Sequence, residues 1–282
     1  MLSRIRPDYT GKVRDIYKFD KNFLLIHTSD RVSSFDRHLG LIPGKGQLLT
    51  QMNKFWFEKT RHIIDNHLVA TSALGSLVTY CNPIKIEIVV RAYITGNTVT
   101  SLWTHYNAGE RNYCGLTFPD GLKKNQKLPE IVITPTTKGD EDIPISAQEI
   151  VDQGYMTREE CDFVFEKAMA LFIYGQEVVY QAGFILVDTK YEFGRTPENN
   201  IILIDELHTC DSSRYWLSSS YQERFQAGLE PEKLDKDCVR DWVRSQCDPY
   251  KDGIPQIPQE IIDRARDNYE LFYNKITGLV SV

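Results

Sequence analysis

Apolar residues along this chain recur at two periods, and the alternation between those periods lays out its elements. From Gln47 to Ile64, Leu48, Leu49, Met52, Phe55, Trp56 and Ile63 fall at helical spacing and predict a helix. KVRDIYKF (12–19) and FLLIHTS (23–29) flank Asp20-Lys21-Asn22 and read as a hairpin. Ile84 to Ile94 is β-branched, alternates early and predicts a strand ending near Thr95-Gly96. Asn97 then stands near the N-cap of a helix through NTVTSLWTHY. From Asn107 to Asp142 the periodicity fades into Gly, Pro, Lys and Asp, predicting long loops around a short IVIT strand. Helical spacing returns over Ser146–Gln153 and Thr157–Ala182, where Thr157 and Glu160 form a capping box. The apolar runs of Phe184–Gly194 and Ile201–Glu206 enclose the turn residues GRTPENN and read as a second hairpin. Helices over Glu232–Gln246 and Pro258–Lys275 follow, with Pro258 suited to a first turn. Strands cluster without regular β-α-β alternation, which favours an α+β fold with antiparallel sheets and packed helices. A boundary near residue 80 would divide it into 1–80 and 81–282.

Composition narrows the picture. At 282 residues, 41% hydrophobic and 26% charged, the chain has the make-up of a globular protein with one large or two moderate domains. A net charge of −6 argues against a general nucleic-acid or anionic-membrane surface. No apolar run approaches the roughly 20 residues that span a bilayer, and MLSRIRPDYTGK lacks a signal-peptide core. Six cysteines are scattered without a C-x-x-C pair, so reduced thiols in a cytoplasmic protein are expected rather than a zinc site or disulfide framework.

The candidate chemistry lies where charge interrupts apolar runs. Asp188, Lys190 and Glu192 occupy every second position and share one strand face. With the turn centred between Glu198 and Asn199, Glu192 would oppose Asp205, and like charges directly opposed are destabilising. A cation between them points to a metal–nucleotide site. Lys12 and Arg14 share a face beside Gly11 and could hold phosphate oxygens, or simply meet water. Ser29–Asp36 packs acids, a base and hydroxyls into a strand exit, which turn formation alone also explains. Arg91 lies four residues from Glu87, about 13 Å along a strand, too far for direct pairing and leaving room for an anionic ligand. GLIPGKG (40–46) is one residue short of a P-loop and reads as a glycine turn. His208–Arg214 continues the acidic strand end and offers Arg214 as an anion clamp, while Lys236, Asp237 and Arg240 read as a solvated helix face. These groups suit a Mg-ATP enzyme acting on an anionic substrate, without naming it.

In their order along the chain, GKVRDIY, TSDRVSSFD, IEIVVRAYITG, LVDTKYEFG, DELHTCDSSRYW and LDKDCVRDW resemble the motifs of the SAICAR synthetase family, from residue 11 to about 253. The resemblance implies an ATP-dependent carbon–nitrogen ligase of purine biosynthesis. It would join L-aspartate to 5-aminoimidazole-4-carboxylate ribonucleotide (CAIR), releasing ADP and phosphate. It also implies a two-part α+β fold related to ATP-grasp enzymes, with a nucleotide-contacting part in 1–80 and a catalytic part in 81–282. Lys12, Val13 and Arg14 would contact ATP, while Glu192 and Asp205 would hold Mg2+ against its phosphates. Asp188 and Lys190 would be catalytic and Asp142 the general base. Asp36, Arg91, Asn97, Ser212, Ser213, Arg214, Lys236 and Arg240 would bind substrate, with TPTTKGDED (134–142) as a closing loop. Asn97 stands where the family usually has Ser, and Cys210 where Pro is usual, which would loosen that turn and expose a thiol. CAIR and L-aspartate are then the partners, with no nucleic acid or membrane, and a homo-oligomer is left open. A small-molecule kinase and a non-catalytic nucleotide-binding paralogue are the competing readings.

Overall fold

A computed structural model describes residues 6–35, 37–98, 100–139, 142–234 and 237–278. Two expected site residues, Asp36 and Lys236, lie outside the described residues. The first sheet comprises β1 (Tyr9–Thr10), β2 (Arg14–Lys18), β3 (Phe23–Thr28), β6 (Leu68–Ser72) and β7 (Gly75–Thr79) in the order β1-β2-β3-β7-β6. Asp20 closes its β2–β3 turn by accepting from the backbone N–H groups of Asn22 and Phe23, at 2.7 and 2.9 Å. A separate hairpin, β4 (Arg31–Ser34) with β5 (Arg37–Leu41), leads into α1 (Lys45–Lys59).

The second sheet carries the candidate site. Its central strands are β8 (Asn82–Ile94) and β13 (Phe184–Arg195), paired antiparallel and flanked by β11 (Gln126–Ile133) and β14 (Ile201–Ile204). Two further strands extend it: β12 (Thr136–Thr137) on β8, and β15 (Ser213–Leu217) on β13. β9 (Asn112–Tyr113) and β10 (Leu116–Thr117) form a small hairpin of their own. The residues between Asn107 and Asp142 therefore contain more structure than expected. The strand there begins at Gln126, and the stretch read as a closing loop starts docked on β8, with Thr136 opposite Glu87. Short, bulged segments carry too little periodicity to be read individually.

Helices α2 (Leu102–Asn107), α3 (Ala147–Asp152), α4 (Arg158–Gln181), α5 (Ser218–Gln226), α6 (Asp237–Gln246) and α7 (Gln259–Thr277) complete the chain. Both Ser146–Glu149 and Thr157–Glu160 form capping boxes, which fix the starts of α3 and α4. Asn97 is not a cap, because α2 begins after Ser101. Residues 232–234 are not helical either, Lys233 forming an isolated bridge to Trp216. Pro258 sits at the N-cap of α7, one position before the first turn.

One apolar cluster runs from α1 (Met52, Trp56, Phe57) through β8 and β13 to α4 and α7. A second joins the β4–β5 hairpin to the chain's last helices through Val32, Leu39 and Ile42 against Val239, Val243, Ile261 and Ala265. Burial of these side chains, worth about 1.5–3 kcal/mol for each of the larger ones, locks α6 and α7 against the β4–β5 hairpin. Among the described residues, no helix is long and apolar enough to cross a membrane.

Candidate active site

The register between β8 and β13 assembles the site. Asp188 faces Arg91, Lys190 faces Val89, and Glu192 faces Glu87, so six alternating positions line one face of the sheet. Glu87 and Arg91 do not pair along β8; each finds its partner across the ladder. Arg91 Nη1 donates to Asp188 Oδ2 at 3.1 Å and its Nε to Thr134 Oγ1 at 2.8 Å. Arg214, opposite Asp188 on β15, donates to the same Asp188 oxygen. A carboxylate only 4% exposed is thus flanked by two guanidinium groups, each with further donors.

Two residues along, the charges reverse. The opposed acids Glu87 and Glu192 are both buried, and Lys190 Nζ lies between them at 2.6 and 2.7 Å. Lys138, just beyond β12, donates to the other oxygen of Glu192. Burial raises the Glu87 carboxyl, Lys190 offsets this only in part, and Glu192 and Asp142 push it further up. Burial alone would lower the Lys190 ammonium, yet Glu192, Glu87 and Asp205 together hold it above its ordinary value. Three carboxylates thus converge on one ammonium, a set of hard oxygen donors of the kind a divalent cation takes.

Asp205 reaches this cluster by a route different from the expected one. Glu192 pairs with Ile204 rather than Asp205. Asn199 adopts a left-handed conformation (φ 66°), and Thr196 N–H bonds to the Asn200 carbonyl at 2.9 Å. The loop is therefore odd in length and centred on residue 198, one half-step from the expected centre. Asp205 falls just past β14 with φ 66°, and its carboxylate accepts from Arg14. Arg14 also pairs with Glu206 at 2.8 Å, and Glu206 accepts from Thr209 Oγ1. Lys12 is exposed before β2, while the Val13 carbonyl accepts from Ser29 N–H and Oγ at 3.0 and 2.6 Å. Arg14, one of the expected nucleotide contacts, thus touches the acidic strand end.

A pocket partly open to solvent lies at the end of the sheet where the guanidinium groups gather. Asn97, Arg214 and Arg240 line it, as expected of substrate contacts, together with Phe35, Lys233 and Arg244. Arg240 does not sit on a solvated face: its Nε donates to Ser34 Oγ at 2.7 Å. Arg244 donates to the Asn97 carbonyl at 2.7 Å and stacks over Phe35. Its spacing four residues after Arg240 was a legible signal that charge counting alone passed over. Gly96, at φ 102°, has no room for a Cβ because Ser101 Oγ is in contact.

The loop between β14 and β15 is held from within. Thr209 Oγ1 accepts from Asp211 N–H and Ser212 N–H, both at 3.2 Å, and Ser212 Oγ accepts from Thr209 N–H at 3.2 Å. Ser213 Oγ shares a hydrogen bond with Thr189 Oγ1 at 2.8 Å. Cys210 is 1% exposed, so the residue in place of Pro buries its thiol rather than exposing it. Asp142 is exposed, within electrostatic range of Glu87. Sequence reading missed Glu87 and Lys138 as members of the acidic cluster. Glu87 was visible as a charge inside an apolar strand, but its partner depends on a register that no local pattern reports.

Known proteins resemble this chain over nearly its whole length. A family model described as SAICAR synthetase matches residues 8–257. A phosphoribosylaminoimidazole-succinocarboxamide synthase of Legionella pneumophila (strain Paris) is 53% identical, over 96% of this chain and 87% of its own. A chloroplastic synthase of the same name from Arabidopsis thaliana is 51% identical, over 99% of this chain and 67% of its own. Among solved structures, the Saccharomyces cerevisiae SAICAR synthase complexed with SAICAR superposes with a TM-score of 0.82 at 33% identity, covering 99% of this chain and 97% of that one. The chain belongs to the SAICAR synthetase family, the ATP-dependent carbon–nitrogen ligases of purine biosynthesis.

Proposed function

We propose that this site joins L-aspartate to CAIR through an acyl phosphate, with ATP bound at the acidic end of the sheet face and CAIR at the arginine-lined end. The observation that carries the reading is the continuity of that face. The acid-rich cluster around Lys190 and the Arg91–Asp188–Arg214 group lie two residues apart on the same pair of strands. Phosphoryl donor and carboxylate acceptor would then meet over Lys190. A first part in 1–80 would contribute Lys12, Val13 and Arg14 to ATP, and 81–282 the rest.

A carboxylate resists attack by an amine because its leaving group would be oxide. Transfer of the ATP γ-phosphoryl group to a carboxylate oxygen of CAIR gives ADP and an acyl phosphate. The aspartate amine then adds to that carbonyl and phosphate leaves, forming the amide. Lys190, its ammonium held charged, cannot act as a base at neutral pH and instead steadies oxygen charge during both transfers. Arg91, Arg214 and Arg240 would bind carboxylate and phosphate, with Asp188 fixing the first two guanidinium planes and Asn97, Ser212 and Ser213 completing the contacts. Asp36 and Lys236 belong to the same assignment. Asp142 is the carboxylate we assign to proton removal from the amine.

Glu192 and Asp205 suit Mg2+: both are hard oxygen donors acting on the same Lys190 ammonium, and one or two carboxylates with phosphate oxygens is a common magnesium set. When held by Glu192 and Asp205, Mg2+ would supply charge neutralisation for the ATP phosphates. Lys138 would exchange its hold on Glu192 for the phosphates. We place the protein in the cytoplasm, where its six cysteines would be held as thiols.

The test is a three-substrate assay with purified protein, ATP and Mg2+. Succinocarboxamide product strictly dependent on CAIR and L-aspartate is expected. ADP release that requires CAIR but yields no aspartate-dependent product would replace ligation with a simple phosphotransfer.

A further inference from the structure

Lys45 belongs to the glycine turn that sequence reading set aside, and it is fully buried. It opens α1, where a cation opposes the helix dipole and gains nothing from the helix itself. Its Nζ instead reaches Asp211 Oδ2 at 2.7 Å and the Arg31 carbonyl at 2.8 Å. Tyr269 of α7 donates its hydroxyl to the other Asp211 oxygen at 2.6 Å. The turn that presents Lys45 is itself fixed, since Asp30 accepts from the N–H groups of Gly44 and Gly46 at 3.1 and 2.9 Å. Gly46 packs so closely on the Thr28 carbonyl that no Cβ fits.

Groups from the β5–α1 turn and from α7 thus converge on one carboxylate, whose next three residues are Ser212, Ser213 and Arg214. A buried ion pair stabilises a fold weakly against apolar side chains of similar volume, but it fixes geometry when both ends are held. We propose that Lys45 and Tyr269 are positioning residues of the ligation. Through Asp211 they set the loop that presents Ser212, Ser213 and Arg214 to CAIR, without touching any substrate themselves. The inference rests on the proposed assignment of that loop to CAIR.

The experiment compares Tyr269→Phe, Lys45→Met, Lys45→Met with Asp211→Asn, and Arg214→Ala, measuring KM for each substrate, kcat and the thermal midpoint. Tyr269→Phe removes one hydroxyl and should raise KM for CAIR about three-fold, and Lys45→Met about ten-fold or more, with KM for ATP within about two-fold of wild type. The double variant also removes the buried charge that Lys45 had balanced and should recover the thermal midpoint while KM for CAIR stays high. A double variant that recovers both, or a Tyr269→Phe enzyme whose KM for CAIR is unchanged, would make the cluster purely structural and overturn the proposal. If Arg214→Ala leaves KM for CAIR unaltered, the site assignment itself fails. A rise in Arg214→Ala without one in the Lys45 and Tyr269 variants rejects only the positioning role.

Discussion

Glu192 touches both lysines of the acidic cluster and is only 3% exposed, so its charge and its packing can be separated by substitution. Glu192→Gln keeps the shape, and Lys190 retains Glu87 at 2.6 Å. Turnover should fall by about a hundred-fold or more, with the thermal midpoint shifted by only a few degrees. Unfolding of the variant at ordinary temperature would instead make this acid structural. Asp188→Asn should behave differently, because it strips the shared partner from two guanidinium groups. A loss of about 3–5 kcal/mol in unfolding free energy is expected by denaturant titration. Two buried histidines add a pH dependence. His67 is pushed down to about 3 by burial and then by Arg14, and His208 down to about 3 by burial alone. Both folded values lie below the ordinary 6.5, so the unfolded chain binds more protons between pH 3 and 6.5. Their stabilisation is complete above that window and is lost as the pH falls through it. In His208→Gln the slope of stability against pH between 6.5 and 4 should flatten by about 1.4 kcal/mol per pH unit, one proton's worth. An unchanged slope would contradict the burial argument.

Elements were legible from the chain where a single period ran for several turns or several strand residues. The helix from Arg158 and the strands over 84–94 and 184–194 carry their own caps or apolar runs, and each lies where its pattern places it. Arg91, Asp188, Lys190 and Glu192 could be singled out because charge inside such a run is costly without a partner. Their partners could not be read, since pairing across β8 and β13 is set by register, and register by a turn whose five residues centre on 198. The same limit hid the short strands of 112–137 and the helix α5. Close packing between elements is equally invisible locally. Gly175 in α4 lies against the ring of His208, whose Nε2 meets the Tyr191 hydroxyl, and a Cβ there would enter the ring. Gly to Ala inside a helix normally gains about 1 kcal/mol. Here the sign should reverse, with Gly175→Ala losing about 1–3 kcal/mol from overpacking. A rise in thermal midpoint would mean that His208 has room to move.

Taken whole, the molecule sets four basic side chains against two acids, Glu230 and Asp241, around one pocket while its net charge is −6. Arg214, Arg240, Arg244 and Lys233 there offer a local field that attracts an anionic substrate toward an otherwise acidic protein. The rate constant kcat/KM for CAIR should therefore fall as salt is raised from 0.05 to about 0.5 M, where screening shortens the reach of that field. Insensitivity to salt would locate recognition in short contacts alone. The pocket also draws on both halves of the chain: Phe35 and Asn97 precede the main helix α4, and Arg240 and Arg244 follow the last strand. The apolar contacts of Val32, Leu39 and Ile42 with α6 and α7 make that closure part of the fold. During translation at about 5–20 residues per second, the central sheet can pair once β15 has emerged, several seconds before α7 is made. Until α6 has emerged the pocket lacks Arg240, Asp241 and Arg244, and until α7 follows Leu39 and Ile42 lack part of their apolar cover. A nascent chain can thus be sheeted and compact while still unable to ligate, so the ribosome releases the protein's folding and its chemistry at different times.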